Sequence, residues 1–360
     1  MADDTPSTAR EAPAVRVSSL RPRPPPDAAA AATDRPAPGL DPEQTGRVRQ
    51  LLPRYRTLGD RTFQLIVYGF ALGILGLAAL TVYQLVSNAW PLIEKEGLSF
   101  IWDNVWDTAN NLYGGRPFLL GSIVTSAIAV VLAVPVAVGG ALFVTELAPA
   151  WLRRPISELV ELLAAIPSIA YGFWGLIVLA PFLRDTIDPV LIRLLGWTGL
   201  FAPPDVGLSL WTAGVVLAIM ILPIVAAISR EVFTAVPVDQ REAALALGAT
   251  RWEMIRLAVL PYARSGVVGA VVLGLGRALG ETFAVVFVIG NAIQFQRNLL
   301  RPGTSVTANI ANTFQEVSTT GLGLAALLSL ALVLFVITLI VNAAARVLVA
   351  RQRRILGGTR

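Results

Sequence analysis

Cysteine and histidine are absent from this 360-residue chain, and lysine occurs once, as Lys95 in the context EKEG. Without Cys or His there is no disulfide framework, no Cys/His metal site, no haem ligation through these residues and no Cys or Ser–His–Asp catalysis. A phosphate-cradling P-loop needs a lysine after a glycine-rich turn, and Lys95 lacks that setting. The chain is therefore not expected to be an enzyme or to need a cofactor, and any ATP-driven work must come from a partner. Charge is scarce as well. Only 15% of residues are charged, against about a quarter in a soluble domain. The net charge of +5 does not point to nucleic acid, because the arginines flank apolar blocks rather than forming one basic face.

What the chain has in abundance is apolar sequence, at 55%. Residues 1–60 stand apart: they are rich in Pro, Ala and Arg and hold ten of the 24 prolines. Such a tail cannot bury enough apolar surface to offset its chain entropy, so it is expected to be a disordered cytoplasmic segment. It has no compact apolar core with a small-residue cleavage site and does not read as a secretory signal. Six apolar segments follow at about 62–88, 119–146, 156–182, 208–229, 264–290 and 322–349. Each is long enough to cross roughly 30 Å of hydrocarbon at about 1.5 Å per residue. Backbone polar groups must be satisfied inside lipid, so the expectation is an all-α, polytopic membrane domain over 61–350 with a basic C-terminus at 351–360. Pro135, Pro167 and Pro223 fall within these segments, where each removes a backbone donor and can kink its helix.

Orientation follows from the cationic residues. With both termini in the cytoplasm, 22 of the 29 Lys and Arg residues lie on that side, six lie in the outer loops and Arg277 lies within a helix. The outer loop at about 89–118 carries Trp90, Trp102 and Trp106, suited to a membrane interface. The cytoplasmic loop at 239–261 is unlike the others. Asp239 and Glu242 have a capping-box spacing, as do Thr250 and Glu253. Two short helices are expected, bent at Gly248 in a left-handed conformation. Trp252, Ile255 and Val259 would share one face of the second helix, which should end at Pro261. Small residues on the first helix permit close approach of another protein, which favours a docking device over a helix resting on headgroups.

Glu242-Ala243-Ala244, Gly248 four residues on, and Leu260-Pro261 resemble the EAA loop of ABC importer permeases of the MetI-like family. The motif's usual isoleucine is Ala258 here. AAIPSIAYGFWG at 164–175, LGLGRALGETFAVVFVIGN at 273–291 and ANTFQEV at 311–317 are similar to the C-type permease subunits of the phosphate-specific ABC importer, over about 60–350. That resemblance implies a type I importer permease bundle in a bacterial cytoplasmic membrane. It also implies a heterodimer with an A-type permease, two copies of a B-type ATPase on the EAA loops and an external S-type phosphate-binding protein.

Arg277 and Glu281 fall near the middle of the fifth apolar segment, where ionised groups are costly and mark function. On one continuous helix they would pair at i, i+4, with Gly276, Gly280 and Ala284 leaving space beside them. Arginine's planar fork suits phosphate oxygens, and a phosphate that keeps a proton can donate a hydrogen bond to Glu281, whereas sulfate cannot. The competing possibility is a neutralised pair that locks the bundle. Gly266, Ala270, Gly274 and Ala278 form a second stripe, read as a helix–helix contact. Asn291, Asn309, Asn312 and Gln315 are weaker candidates for an outer vestibule. The functions that fit are phosphate import, import of another oxyanion, or transport by an ATP-independent secondary carrier, for which the EAA loop would have no use.

Overall fold

The computed structural model describes residues 56–317 and 321–357. The tail expected to be disordered over 1–60 lies outside the described residues as far as residue 55, and its last five residues are already helical. The chain divides into two units, with the boundary after Gly76. The described part of the first unit is the beginning of helix α1 (Arg56–Glu96), whose Phe63, Ile66, Phe70 and Leu72 are all exposed. An exposed apolar helix surface of this kind belongs in lipid or against another membrane helix.

The second unit holds the bundle. The end of α1 buries Ala89 and Leu92. A short antiparallel ladder, β1 (Trp106–Asp107) with β2 (Leu112–Tyr113), follows. Trp106 packs edge-on against Tyr113 and Phe118 at ring-centroid distances of 5.0 and 4.8 Å, whereas Trp90 and Trp102 are exposed. In the turn, hydrogen bonds from the Asn110 side chain and from the Asn110 and Ala109 backbone hold the Asp107 carboxyl below its ordinary pKa.

Helix α2 (Arg116–Leu142) has Pro117 in its first turn, where the missing N–H would have no intrahelical partner anyway. Ala129, Ala133, Ala137 and Ala141 repeat every fourth residue and are all buried, so α2 can approach α7 (Leu210–Thr234) closely. Leu217, Ile221 and Val225 of α7 are fully buried. Both helices continue through their prolines, Pro135 and Pro223.

Pro167 behaves differently. The segment expected to span continuously over 156–182 is broken there: α3 (Ala150–Ala165) and the helical run from Ser168 to Thr198 meet at 90°. Ile166 precedes the proline and is extended (φ −66°, ψ 129°), as proline sterics require of the residue before it. Tyr171 Oη donates to Leu163 O across the bend at 2.8 Å, satisfying one carbonyl that the break frees. Leu152, Ile156, Leu159, Val160 and Leu163 lie on one face of α3, with Arg154, Glu158 and Glu161 on the other, and α3 has no buried residue. The run after it comprises α4 (Ser168–Trp174), α5 (Ala180–Phe182) and α6 (Asp188–Leu195), joined by π-helical turns.

Beyond α7 come α8 (Val238–Ala246) and α9 (Arg251–Met254), then a π-helical turn, Ile255–Val259, leading into α10 (Leu260–Gly280). Helix α11 (Phe283–Val288), α12 (Val306–Thr313) and α13 (Leu322–Gly357) complete the chain. Among the described residues five helices are long and apolar enough to cross a membrane, or six spans if the bent pair counts as one. The fold is therefore an all-α membrane bundle.

The stripe Gly266, Ala270, Gly274 and Ala278 packs on α7 as its spacing predicts. A Cβ at Gly266 would crowd Val232 and one at Gly274 would lie 2.7 Å from Val225. Nothing lies within 4 Å of such an atom at Gly276, on the opposite side. Gly274→Leu is thus expected to destabilise the bundle by about 1–3 kcal/mol through overpacking, while Gly276→Ala leaves stability unchanged or slightly raised. Thermal unfolding of the purified protein in detergent measures both.

Candidate functional site

Two features stand out: the loop between α7 and α10, and the break after α10. The loop is two short helices bent at a glycine. Pro237 precedes α8, and the Asp239–Glu242 capping box is not formed: no side chain caps α8, which already begins at Val238. Gly248 adopts φ +86°, a conformation with a steric penalty for any residue bearing a Cβ. Thr250 and Glu253 do form their capping box. Thr250 N–H donates to Glu253 Oε2 at 2.8 Å, and Glu253 N–H donates to Thr250 Oγ1 at 3.3 Å.

The second loop helix does not stop at Pro261. It continues without interruption from Arg251 to Gly280. The π-helical turn at Ile255–Val259 makes this possible, because the Leu260 N–H bonds to Ile255 O, five residues back. The turn is wider just where proline lacks its donor and its ring needs room. Ile255 and Val259 are buried with Met254 and Ala263 against Phe233, Val236 and Ala141. Trp252, expected on that face, is exposed, and Met254 supplies the packing instead.

Glu242 and Ala243 are exposed, as is Gly248, whereas Ala244 and Leu260 are half-buried against the same cluster and Pro261 is half-buried. Val238, Leu247 and Trp252 expose large apolar surfaces, with Leu247 at 90%. The loop thus turns one face inward and offers an apolar ridge outward.

Arg241 ties this loop to the bundle, and sequence reasoning did not single it out. Its Nη1 donates to Val236 O at 2.6 Å, and its Nη2 donates to Phe233 O at 2.7 Å and to Glu146 Oε1 at 3.0 Å. The Arg241 side chain is 19% exposed and that of Glu146 only 7%. The guanidinium therefore occupies the negative end of α7 and joins it to the end of α2. Its only sequence signal is an arginine directly before the Glu-Ala-Ala triplet.

The second feature differs from expectation. Helix α10 ends at Gly280, and Glu281 is extended (φ −72°, ψ 132°). Arg277 and Glu281 are therefore not on one continuous helix, and no ion pair joins them among the described residues. Glu281 is 9% exposed; its Oε1 accepts from Ala284 N–H at 3.3 Å and caps α11. Its backbone carbonyl accepts from Thr307 Oγ1 at 2.6 Å. Ala284, expected beside the charges, is buried against Gly172 of α4. Arg277 is exposed and, among the described residues, has no hydrogen-bond or ion-pair partner; Leu273 and Gly280, one turn away on the same helix, are exposed as well. Ser122 Oγ accepts from Val306 N–H at 3.0 Å and Ser305 Oγ from Ala308 N–H at 3.1 Å, which satisfies the start of α12. Of the weaker candidates, Asn309 is buried with its Nδ2 unpartnered; Asn291, Asn312 and Gln315 are exposed.

The bundle thus combines a broken helix, its freed backbone groups held by protein, with an anchored loop that bears an exposed apolar ridge. Residues 133–354 match the family model for the binding-protein-dependent transport system inner membrane component, and the chain belongs to that family. It is 46% identical over 286 residues to the phosphate transport system permease protein PstC of Pasteurella multocida, covering 78% of this chain and 89% of that protein. The protein of the same name from Haemophilus influenzae is 46% identical over 292 residues, 80% of this chain and 92% of its own length. In fold, the chain matches a crystal structure of a bacterial ABC transporter involved in import of the acidic polysaccharide alginate. The TM-score is 0.51 at 18% identity, over 81% of this chain and 98% of that one.

Arg241→Met is expected to cost about 1–3 kcal/mol, since it removes the donor to buried Glu146 and to the Val236 carbonyl and one of the donors to Phe233 O. Adding Glu146→Leu should recover part of that loss. A double-mutant cycle on thermal midpoints measures the coupling.

Proposed function

We propose that this chain is the membrane-spanning permease subunit of an ATP-driven importer of inorganic phosphate. The observation that carries the reading is Arg277: an unpaired guanidinium on the exposed face of a membrane-spanning helix, one turn before a break. An unpaired charge there is expensive, so it faces a polar path rather than lipid. A path between this chain and a second permease fits both its position and the open space at Gly276 and Gly280. The phosphate-transport names of the relatives support the cargo.

In this mechanism Arg277 receives the phosphate oxygens through its fork of donors. Glu281 stands at the start of α11. Its carboxylate holds the half-helix in place, and its nearness to the path favours an anion that can donate a proton in a hydrogen bond over one that cannot. The chain performs no covalent chemistry. An external S-type binding protein delivers phosphate, an A-type permease supplies the other wall, and two copies of a B-type ATPase take the α8–α9 loops. Both termini and this loop then lie in the cytoplasm, in keeping with the distribution of arginine. ATPase closure would move α8, and Arg241 passes that displacement to the ends of α2 and α7, while the continuous Arg251–Gly280 helix carries it toward Arg277.

Phosphate uptake into vesicles bearing the assembled complex tests the proposal. Arg277→Gln is expected to lower uptake at least tenfold with assembly intact, corresponding to about 1.4 kcal/mol or more of lost interaction. Arsenate should compete and sulfate should not. Wild-type uptake by Arg277→Gln would remove it from the path, and inhibition by sulfate but not arsenate would reassign the cargo to another oxyanion. Leu247→Asp should leave the fold intact and release the ATPase on purification. Full uptake without any ATPase would favour a secondary carrier.

A further inference from the structure

An apolar groove and an arginine-lined cleft meet between α2, α3 and α7, and neither is needed for the path at Arg277. The groove, about 180 Å³, has walls that include Val136, Gly140, Val160, Leu222 and Ala227. The cleft, about 650 Å³, is lined by Arg153, Arg230, Arg241 and Arg251. Val144, Ser157 and Arg230 line both, so the two form one continuous depression.

The charges in the cleft are unbalanced. The one carboxylate lining it is Glu146, which is already taken by Arg241. Arg230 gives one nitrogen to Glu161 at 3.0 Å, on the rim. Among the described residues Arg153 uses only its Nε, on Ala148 O at 2.9 Å, and Arg251 has no side-chain partner. Donors on at least three guanidinium groups therefore remain open. The groove has almost no polar surface, and it lies between two membrane-spanning helices and the amphipathic α3, whose apolar stripe suits the boundary between headgroups and acyl chains.

The geometry points to a binding site for one anionic phospholipid, with an acyl chain in the groove and the phosphate held by Arg153, Arg230 and Arg251. A free phosphate ion would use the cleft but has no need of the groove; a zwitterionic lipid would fill the groove but gain little from the arginines. Only a lipid with a net negative headgroup uses both halves. The site faces the membrane leaflet on the side of the α8–α9 loop. That is the cytoplasmic leaflet if the proposed orientation holds, where anionic lipid is attracted to clustered arginine. A lipid seated there would brace α3 against α2 and α7 next to the Arg241 anchor.

Native mass spectrometry of the assembled complex, loaded with phosphatidylglycerol or phosphatidylcholine, tests the site without reference to transport. Wild-type protein should retain phosphatidylglycerol preferentially. Gly140→Leu should abolish that retention by filling the groove; no atom lies within 4 Å of a Cβ at Gly140, so the fold should accept it. The double variant Arg153→Gln, Arg230→Gln should weaken phosphatidylglycerol by roughly thirtyfold, for two arginine attractions lost, and leave phosphatidylcholine unchanged. Equal retention by wild type and Gly140→Leu would overturn the inference. So would displacement of the lipid by millimolar inorganic phosphate, which would mark the cleft as a free-anion site.

Discussion

The Arg241 guanidinium, set among Glu146 and the carbonyls of Phe233 and Val236, is the contact on which the α8–α9 loop depends. Helix α8 has no fully buried residue, and apart from half-buried Ala244 against the neighbouring cluster it gains little from packing. Of the carbonyls that Arg241 takes, Phe233 lies in the last turn of α7 and Val236 just beyond it, where backbone acceptors run short of intrahelical donors. One side chain thereby completes a helix end, neutralises a buried carboxylate and fixes the loop to two spans. The aliphatic cluster around Ile255 and Val259 seals the same junction from below, so motion of the loop must move α2, α7 and α10 together.

A second constraint operates inside the membrane: backbone polar groups freed by a break must find partners in the protein. The bundle breaks twice and meets the constraint differently each time. At Pro167 the break follows from proline sterics, and Tyr171 reaches back to a freed carbonyl. At Gly280 no proline is present. Glu281 caps the next half-helix and Thr307 donates to its carbonyl, so a charged residue is spent on architecture. Among the described residues Arg277 is left without an ion-pair partner for that reason.

Much of this was legible in the residues. The apolar spans, the small-residue stripe on α10, the bend at Gly248 and the Thr250–Glu253 box depend on contacts within a few residues or on one helical period. The features that were not legible are long-range or depend on a choice between local options. The Asp239 spacing matched a capping box, but the N-cap of α8 is Pro237, two residues earlier. Pro261 read as a terminator, yet a π-helical turn absorbs it. Three membrane prolines looked alike, and only Pro167 breaks its span, because α2 and α7 are clamped along their length by close packing.

The sequence by itself determined that this is a polytopic all-α membrane protein without Cys, His or a P-loop lysine, with a charged two-helix loop between two of its spans. Hydropathy, periodicity and the absence of residue types suffice for that. Tertiary structure alone decided which of two charged residues remains free. Whether Glu281 pairs with Arg277 or caps α11 turns on where α10 ends, and that is set by contacts with Thr307 and Gly172, residues far away in the chain. Arg241 likewise looks like any loop arginine until the ends of α2 and α7 are brought to it.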